Sequence, residues 1–426
     1  MLKAATFGVL AFSFSGVLAF PGAHSSHGHG PDVIYRDVAV IGGGSAGTYA
    51  AVRLNDINVS VVVIEKDVVL GGHADTYVDK TTGTKLNMGV ADFHKISVVL
   101  SYAARLGVPM SSPGAYDYST LYYDFDTGKT VPSFVPPTDA EVGAAFATYA
   151  NILATNYSYL QAGYFLPDPV PAELLEPFGD FVNKYGIGAI MQLINQIVQN
   201  DGDIWTMPTV QLLKAVDLSL VQSALQGFLV VASGNTQDLY TSAASVLGQD
   251  VLYSSQAIKM DRHGRDGVTL TVQTANGIQA IPAKRLVVAI PPTLDVLSAF
   301  DLTDKERSTF SKFQSRGYYA SVVQHSGIDP TEFYTNIGTN TPFHLQNLPG
   351  IFTIQPTGLE HQYAIYAGTL SPVSNASAQD VIVSQIETLQ NAGVFPADTP
   401  EFLYFSNHCP FRFGVLRGFV RIARDE

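Results

Sequence analysis

Three glycines and one glutamate carry the clearest chemistry in this chain. Gly42, Gly44 and Gly47 make up G-x-G-x-x-G within the run Gly42-Gly43-Gly44-Ser45-Ala46-Gly47. The first glycine permits a tight turn, the second lets a pyrophosphate reach the main chain, and the third lets a helix pack closely. Glu65 follows about 20 residues later, where a carboxylate can accept hydrogen bonds from both hydroxyls of an adenosine ribose. Amides for phosphate and an acid for ribose together amount to dinucleotide binding.

That chemistry requires the glycines to lie between a strand and a helix. Residues 38–41 (Val38-Ala39-Val40-Ile41) form the continuous apolar run of a strand buried on both faces. A helix is expected over 45–55, with its free N–H groups and positive dipole end facing the phosphates. A second buried strand over 59–64 ends at Glu65. A chain with 37 glycines will contain glycine turns by chance, but strand, helix, strand and acid fall here in the order the fingerprint demands. Glu65 with Lys66 beside it leaves FAD and NAD open and disfavours NADP.

A length of 426 residues suggests two domains. With 46% hydrophobic and 14% charged residues, the chain should have a well-packed core under a sparsely charged surface. Its net charge of −13 repels nucleic-acid phosphates and anionic membranes, so neither is an expected partner. A small-molecule substrate is expected instead, and the oligomeric state stays open.

Residues 1–19 hold one lysine, Lys3, then an apolar run ending in Val17-Leu18-Ala19, and read as a cleaved secretory signal. Residues 20–32, rich in Gly, Ser, Pro and His, read as a linker, with His24, His27 and His29 part of a polar tether rather than a metal site. Cys409 is the only cysteine, which rules out an intrachain disulfide and any metal-spaced Cys/His cluster. Sequons at Asn58, Asn156 and Asn375 fit a secreted glycoprotein, although the first borders a strand expected to be buried.

Two further glycine segments follow. Leu70-Gly71-Gly72-His73 comes soon after Glu65, and Asn87-Met88-Gly89-Val90-Ala91-Asp92-Phe93-His94 sets a glycine among bulky residues. Both suggest main chain approaching a cofactor. With GGGSAG, Glu65, Gly71-Gly72-His73 and Met88-Gly89 in place, the chain resembles the flavin-containing amine oxidase superfamily. Within it, the chain is most similar to a fungal secreted branch that includes β-cyclopiazonate dehydrogenase. The usual superfamily motif has arginine where His73 stands, so a permanent cation is replaced by a group whose charge depends on pH.

The resemblance implies an α/β protein with a discontinuous Rossmann-like FAD-binding domain and a mixed α+β substrate domain of amine-oxidase type. FAD is then the cofactor, held by Gly42, Gly43, Gly44, Ser45, Ala46, Gly47, Glu65, Lys66, Gly72, His73, Met88, Gly89, Val90 and Ala257. The implied boundaries are 33–105 and 234–300 for the FAD-binding domain, and 106–233 and 301–411 for the substrate domain. Helical spacing over 139–154 and 176–200 and a buried apolar helix over 218–232 fit an inserted substrate domain. Its aromatic residues Tyr122, Tyr123, Tyr164, Phe165 and Trp205 are candidate pocket residues. Strand alternation over 251–253, 257–260 and 268–274, the turn Asn276-Gly277 and a buried strand over 285–290 return the chain to the nucleotide sheet.

The pattern departs at the end. After Cys409-Pro410-Phe411 comes a basic run with Arg412, Arg417, Arg421 and Arg424 in place of the expected flavin-covering segment, so 412–426 reads as an atypical tail. The resemblance therefore implies an FAD-dependent oxidoreductase of secondary metabolism that passes hydride from a small apolar amine or indole-type molecule to flavin. The alternative is a shortened, catalytically impaired FAD- or nucleotide-binding remnant. No Ser/His/Asp set is legible, no catalytic residue is assigned, and His73 and His94 are candidates near the ring by position alone.

Overall fold

The computed structural model describes residues 32–415 apart from 115–117, 164, 200 and 263–266. The expected signal at 1–19, the linker up to residue 31, Tyr164 and the tail from 416 lie outside the described residues. The chain falls into two compact units, residues 1–73 with 237–308, and 74–236 with 309–426. A discontinuous first unit is thus observed. Its first break falls after His73, so 74–105 fold with the second unit instead of the nucleotide domain to which the sequence reading assigned them.

In the first unit the buried run is a strand, Arg36–Ile41, followed by a helix, Ser45–Asp56, and a second strand, Val61–Ile64. The register Val38↔Val61 to Ile41↔Ile64 is parallel, and Val251–Leu252 adds a parallel neighbour beyond Val61–Ile64. On the other side Arg36–Ile41 pairs in parallel with the far end of Gly277–Val288, a 12-residue strand. The near end of that strand turns back through Val268–Thr274 to Gln256–Asp261 as an antiparallel meander. Val62, Ile64, Ala39 and Ile41 share one core with Ala257, Met260, Leu270, Val272 and Ile281, so the meander buries the central strands it follows. Full burial of such β-branched side chains stabilises by about 1.5–3 kcal/mol each.

The second unit has a mixed sheet in the order Glu401–Asn407, Phe313–Gln324, Gln362–Thr369, Gly350–Pro356, Glu332–Asn336, Ser119–Tyr123. One face packs on the helix Asn375–Asn391 through Ile382, Ile386 and Leu389. Met88 and Tyr77 pack instead with Ala320, Val322 and Ala364. Helices Asp139–Asn156, Phe178–Tyr185, Met191–Ile197 and Leu218–Gln226 form a separate apolar core around Phe146, Tyr149, Phe181 and Ile194.

Two expectations are corrected in this unit. The helix expected over 218–232 stops at Gln226, because Gly227 (φ +89°) ends it and Val230–Val231 pairs as a strand with Met110–Ser111. The atypical tail begins as sheet, since Phe411–Val415 pairs antiparallel with Phe313 to Arg316.

Candidate functional site

The glycine loop is shaped by contacts that a side chain would destroy. Gly42 has φ +96°, and a Cβ there would lie 2.7 Å from the Ala289 carbonyl oxygen. A Cβ on Gly47 would lie 1.9 Å from the Gly42 oxygen, so only hydrogen lets the helix begin this close to the turn. Gly44 differs: its Cβ would meet nothing nearer than the Gly72 Cα at 3.9 Å. The space above Gly44 is therefore left open, as a main chain approached by a ligand requires. Gly44 is the N-cap of Ser45–Asp56 and has no side-chain hydrogen bond, and Ser45 and Ala46 are exposed. Unpaired N–H groups at an exposed helix start, with the dipole behind them, fit a pyrophosphate.

The second glycine pair completes this loop. Gly71 donates its N–H to the Gly43 oxygen at 2.9 Å, and Gly44 and Gly71 form a parallel bridge. Gly72 has φ +59°, and a Cβ there would lie 3.0 Å from the Gly44 Cα. The turn is held from behind by the Gln237 amide, which donates to the Leu70 oxygen at 2.7 Å, with Tyr240 against Gly71. Sequence reasoning missed Gln237 and Tyr240, which lie more than 160 positions from the residues they brace. The only local signal was an amphipathic helix start.

Glu65 is 5% exposed, and its carboxylate is aimed by main-chain donors. Gly43 N–H gives to Oε2 at 2.5 Å and Asp67 N–H to Oε1 at 2.8 Å. A carboxylate has about four acceptor positions, so the two not taken remain for ribose hydroxyls. Ser255 N–H donates to the Glu65 carbonyl at 2.8 Å and Ser254 N–H to that of Asp67 at 3.0 Å, which brings the segment leading to Ala257 beside Glu65. Ala257 itself is buried in the core. Lys66 is exposed and its Nζ pairs with Asp67 at 2.7 Å. His73 is exposed at the end of the first unit.

Met88, Gly89 and Val90 belong to the second unit. Asp75 organises them: its main-chain oxygen accepts from Met88 N–H at 2.8 Å and Gly89 N–H at 3.3 Å, while its carboxylate accepts from Tyr404 and Ser406 hydroxyls. His408 Nε2 donates to the Met88 oxygen at 3.1 Å, and burial lowers the pKa of that imidazole. Met88 is buried, whereas Val90 is 43% exposed, an apolar side chain without full cover. Asp75 and His408 were not singled out from sequence, because the side-chain partners of Asp75 and the Met88 oxygen that His408 meets lie 320 or more positions away and no local pattern marks them.

Beyond Val90 the same segment enters a recess of about 400 Å³ within the second unit. Leu193, Ile197, Leu220, Phe228 and Phe333 supply apolar walls, and Asp92, His94, Gln196, Gln199, Thr353 and Gln355 supply polar groups. Water can reach Asp92, yet protein crowds it on most sides, and this desolvation raises its carboxyl pKa. Asp92 in turn helps burial push the Tyr366 phenol up to about 12. Tyr366 stacks with Tyr318, and the Tyr318 hydroxyl donates to Gln199 at 2.6 Å, so two phenols stand beside the recess.

Of the aromatic residues expected to line a pocket, the four described ones, Tyr122, Tyr123, Phe165 and Trp205, do not line this recess. Tyr122 packs on Phe134, Trp205 packs on Phe343, and Phe165 is exposed. The recess takes Phe228 and Phe333, because the ending of Leu218–Gln226 and the sheet register decide which rings converge. No helix among the described residues is long and apolar enough to cross a membrane, and no group of three His, Cys, Asp or Glu among them could hold a metal.

A Rossmann-like unit bearing a glycine cradle, joined to a sheet-and-helix unit bearing an apolar recess, defines the class as a dinucleotide-dependent oxidoreductase fold. The model of the NAD(P)-binding Rossmann-like domain matches residues 40–106. The FAD-dependent oxidoreductase oblC of Cochliobolus heterostrophus is 37% identical over 408 residues, covering 93% of this chain and 82% of that protein. Beta-cyclopiazonate dehydrogenase of Aspergillus flavus is 31% identical over 383 residues, covering 89% and 82%. The chain belongs to this family of fungal FAD-dependent oxidoreductases.

Among solved structures, a fatty acid isomerase from P. acnes superposes with a TM-score of 0.70 at 19% identity, covering 91% of this chain and 89% of that one. A putrescine oxidase double mutant gives 0.62 at 16% identity, covering 92% and 91%. At these identities the likeness concerns the fold, which is that of the flavin-dependent amine oxidases.

Proposed function

We propose that this oxidoreductase oxidises a small apolar amine or indole-type metabolite, with the substrate carbon giving up hydride to FAD. The observation that carries the reading is the recess: apolar walls around one carboxyl, Asp92, in a volume suited to a small ligand. A carboxylate in such a setting complements a cationic nitrogen or an N–H donor and disfavours an anion. The name of beta-cyclopiazonate dehydrogenase and the amine named for putrescine oxidase support the same direction.

FAD supplies the hydride-accepting ring, and the chain supplies binding and a low-dielectric surrounding. Gly42, Gly43, Gly44, Ser45, Ala46 and Gly47 cradle the pyrophosphate, and Glu65 accepts from the ribose, with Lys66 at its rim. Gly72 and His73 of the second glycine turn would help hold the cofactor, and Met88, Gly89 and Val90 are the residues we assign to its ring half. The Ala257 segment serves the adenine side. We further propose secretion, with glycans at Asn58, Asn156 and Asn375. All three asparagines are exposed, and Asn58 stands in the turn ahead of Val61–Ile64.

The test is anaerobic flavin bleaching of the purified protein with indoline, tryptamine and cyclohexylamine, set against alcohols and fatty acids. Bleaching by the nitrogen compounds alone is expected. Bleaching by alcohols or fatty acids and by no amine would sink the substrate class. Mass spectrometry of protein from a secreting host checks the signal and the glycans.

A further inference from the structure

His94 lines the recess with its ring fixed by an ordered chain of acceptors. Its Nδ1 lies 3.1 Å from Ser219 Oγ, and the Ser219 hydroxyl donates to Asp217 Oδ1 at 2.8 Å. Asp217 is the N-cap of Leu218–Gln226, where its Oδ1 also accepts Leu220 N–H at 2.9 Å and its Oδ2 accepts the Gln161 amide at 3.0 Å. A hydroxyl owns one proton and an ionised carboxylate has none. Ser219 gives its proton to Asp217, so its oxygen must accept from His94, and Nδ1 carries the hydrogen. In the neutral ring Nε2 then holds the lone pair.

The backbone on either side of His94 is pinned as well. Phe93 exchanges both main-chain hydrogen bonds with Leu229, at 2.8 and 2.9 Å, and Lys95 N–H donates to Ser223 Oγ at 3.2 Å. Phe228 stands 6.2 Å from the imidazole, centroid to centroid. An imidazole of settled tautomer in a ligand-sized recess, with no partner for Nε2 among the described residues, has the arrangement of a general base.

We propose that His94 is a catalytic residue, the proton acceptor of the oxidation at Nε2, and that Ser219 and Asp217 are positioning residues that hold its Nδ1–H tautomer. This rests on the recess being the site of a nitrogen-bearing substrate. Oxidation breaks a substrate C–H bond, whose electron pair leaves with the hydrogen for FAD, and an N–H bond, whose proton goes to Nε2. The electrons of the N–H bond form the new C=N bond, leaving reduced FAD and an imidazolium. The titratable groups around His94 are Asp92 on its own segment, Asp217 through Ser219, and the Tyr318 and Tyr366 phenols beside the recess, both pushed up by burial and so neutral through the pH range of the test. The flanking helix and sheet contribute the uncharged Gln196, Gln199, Thr353 and Gln355 to the recess.

Ring ¹⁵N NMR of histidine-labelled holoenzyme reads the tautomer directly, without turnover. Wild type should show the Nδ1–H form of His94, and Ser219→Ala, which keeps the Asp217 cap, should move it toward Nε2–H. With an amine that bleaches wild type, His94→Gln should slow flavin reduction by about 100-fold or more at unchanged FAD content and flatten the pH profile. Imidazole in the buffer should restore part of the rate. An Nε2–H ring in wild type, or His94→Gln reducing at the wild-type rate, overturns the proposal. If no amine bleaches the flavin while the Nδ1–H ring is present and responds to Ser219→Ala, the substrate class fails and the relay stands.

Discussion

The glycine cradle and the recess are built from opposite materials. The cradle is main chain: Gly42, Gly47 and Gly71 work because no Cβ intrudes, and even Glu65 is aimed by two peptide N–H groups. The recess is side chain: residues from 92 to 355 converge on it from a loop, two helices and a sheet. Main-chain sites are brittle, since geometry leaves no substitute for hydrogen at those positions. Side-chain sites can change their walls with the scaffold intact.

The contrast is most exposed at Gly47. Gly47→Ala places a methyl 1.9 Å from the Gly42 oxygen, beyond what side-chain repacking relieves, so the cost should reach or pass the upper end of about 1–3 kcal/mol. Loss of bound flavin with a lowered Tm is expected. Full flavin content at an unchanged Tm would show that the cradle yields as readily as the recess.

Two residues beyond Gln199 of the recess, Asp201 tests how side-chain burial is tolerated. It is buried and paired with Arg412 at 2.6 Å, yet desolvation outweighs Arg412 and Arg316 and raises its carboxyl to about 6. An acid whose folded pKa lies above its unfolded one holds its proton more tightly in the folded state. Its contribution is therefore most favourable below about 4, and is lost as pH rises through about 6. The difference is worth roughly 3 kcal/mol. Relative to Asp201→Asn, wild type should gain stability by denaturant titration between pH 7 and pH 5. A pH-independent difference between the two would mean that the Arg412 pair prevails over burial.

At the rim of the cradle, Lys66 should matter least. Its ion pair with Asp67 is exposed, and such pairs contribute under about 1 kcal/mol. Lys66→Ala should leave the FAD dissociation constant within a few-fold of wild type by fluorescence titration. A larger loss would make it a direct cofactor ligand.

These outcomes bear on what could be read before any fold was known. The strand–glycine–helix–strand order, Glu65 and the second glycine turn were legible because each contact spans a few dozen residues and depends on main-chain freedom. The helix end at Gln226, and with it Phe228 in the recess, was not, because apolar content does not distinguish a helix from a helix followed by a paired strand. Trp205 was a sound guess by residue type and was placed elsewhere by packing on Phe343.

By itself, then, the amino-acid order determined a dinucleotide cradle and the resemblance to flavin-dependent oxidases. Both rest on local geometry that glycine and a carboxylate impose wherever they fall in that spacing. Only the tertiary structure decided that Gln237 braces Leu70, that Asp75 and His408 hold Met88, and that Ser219 and Asp217 orient His94. Those partners meet across 120 or more positions of chain, in all but the short Ser219–Asp217 and Asp75–Met88 links. Distances of that kind are set by sheet register and helix packing, for which no short stretch of sequence carries a sign.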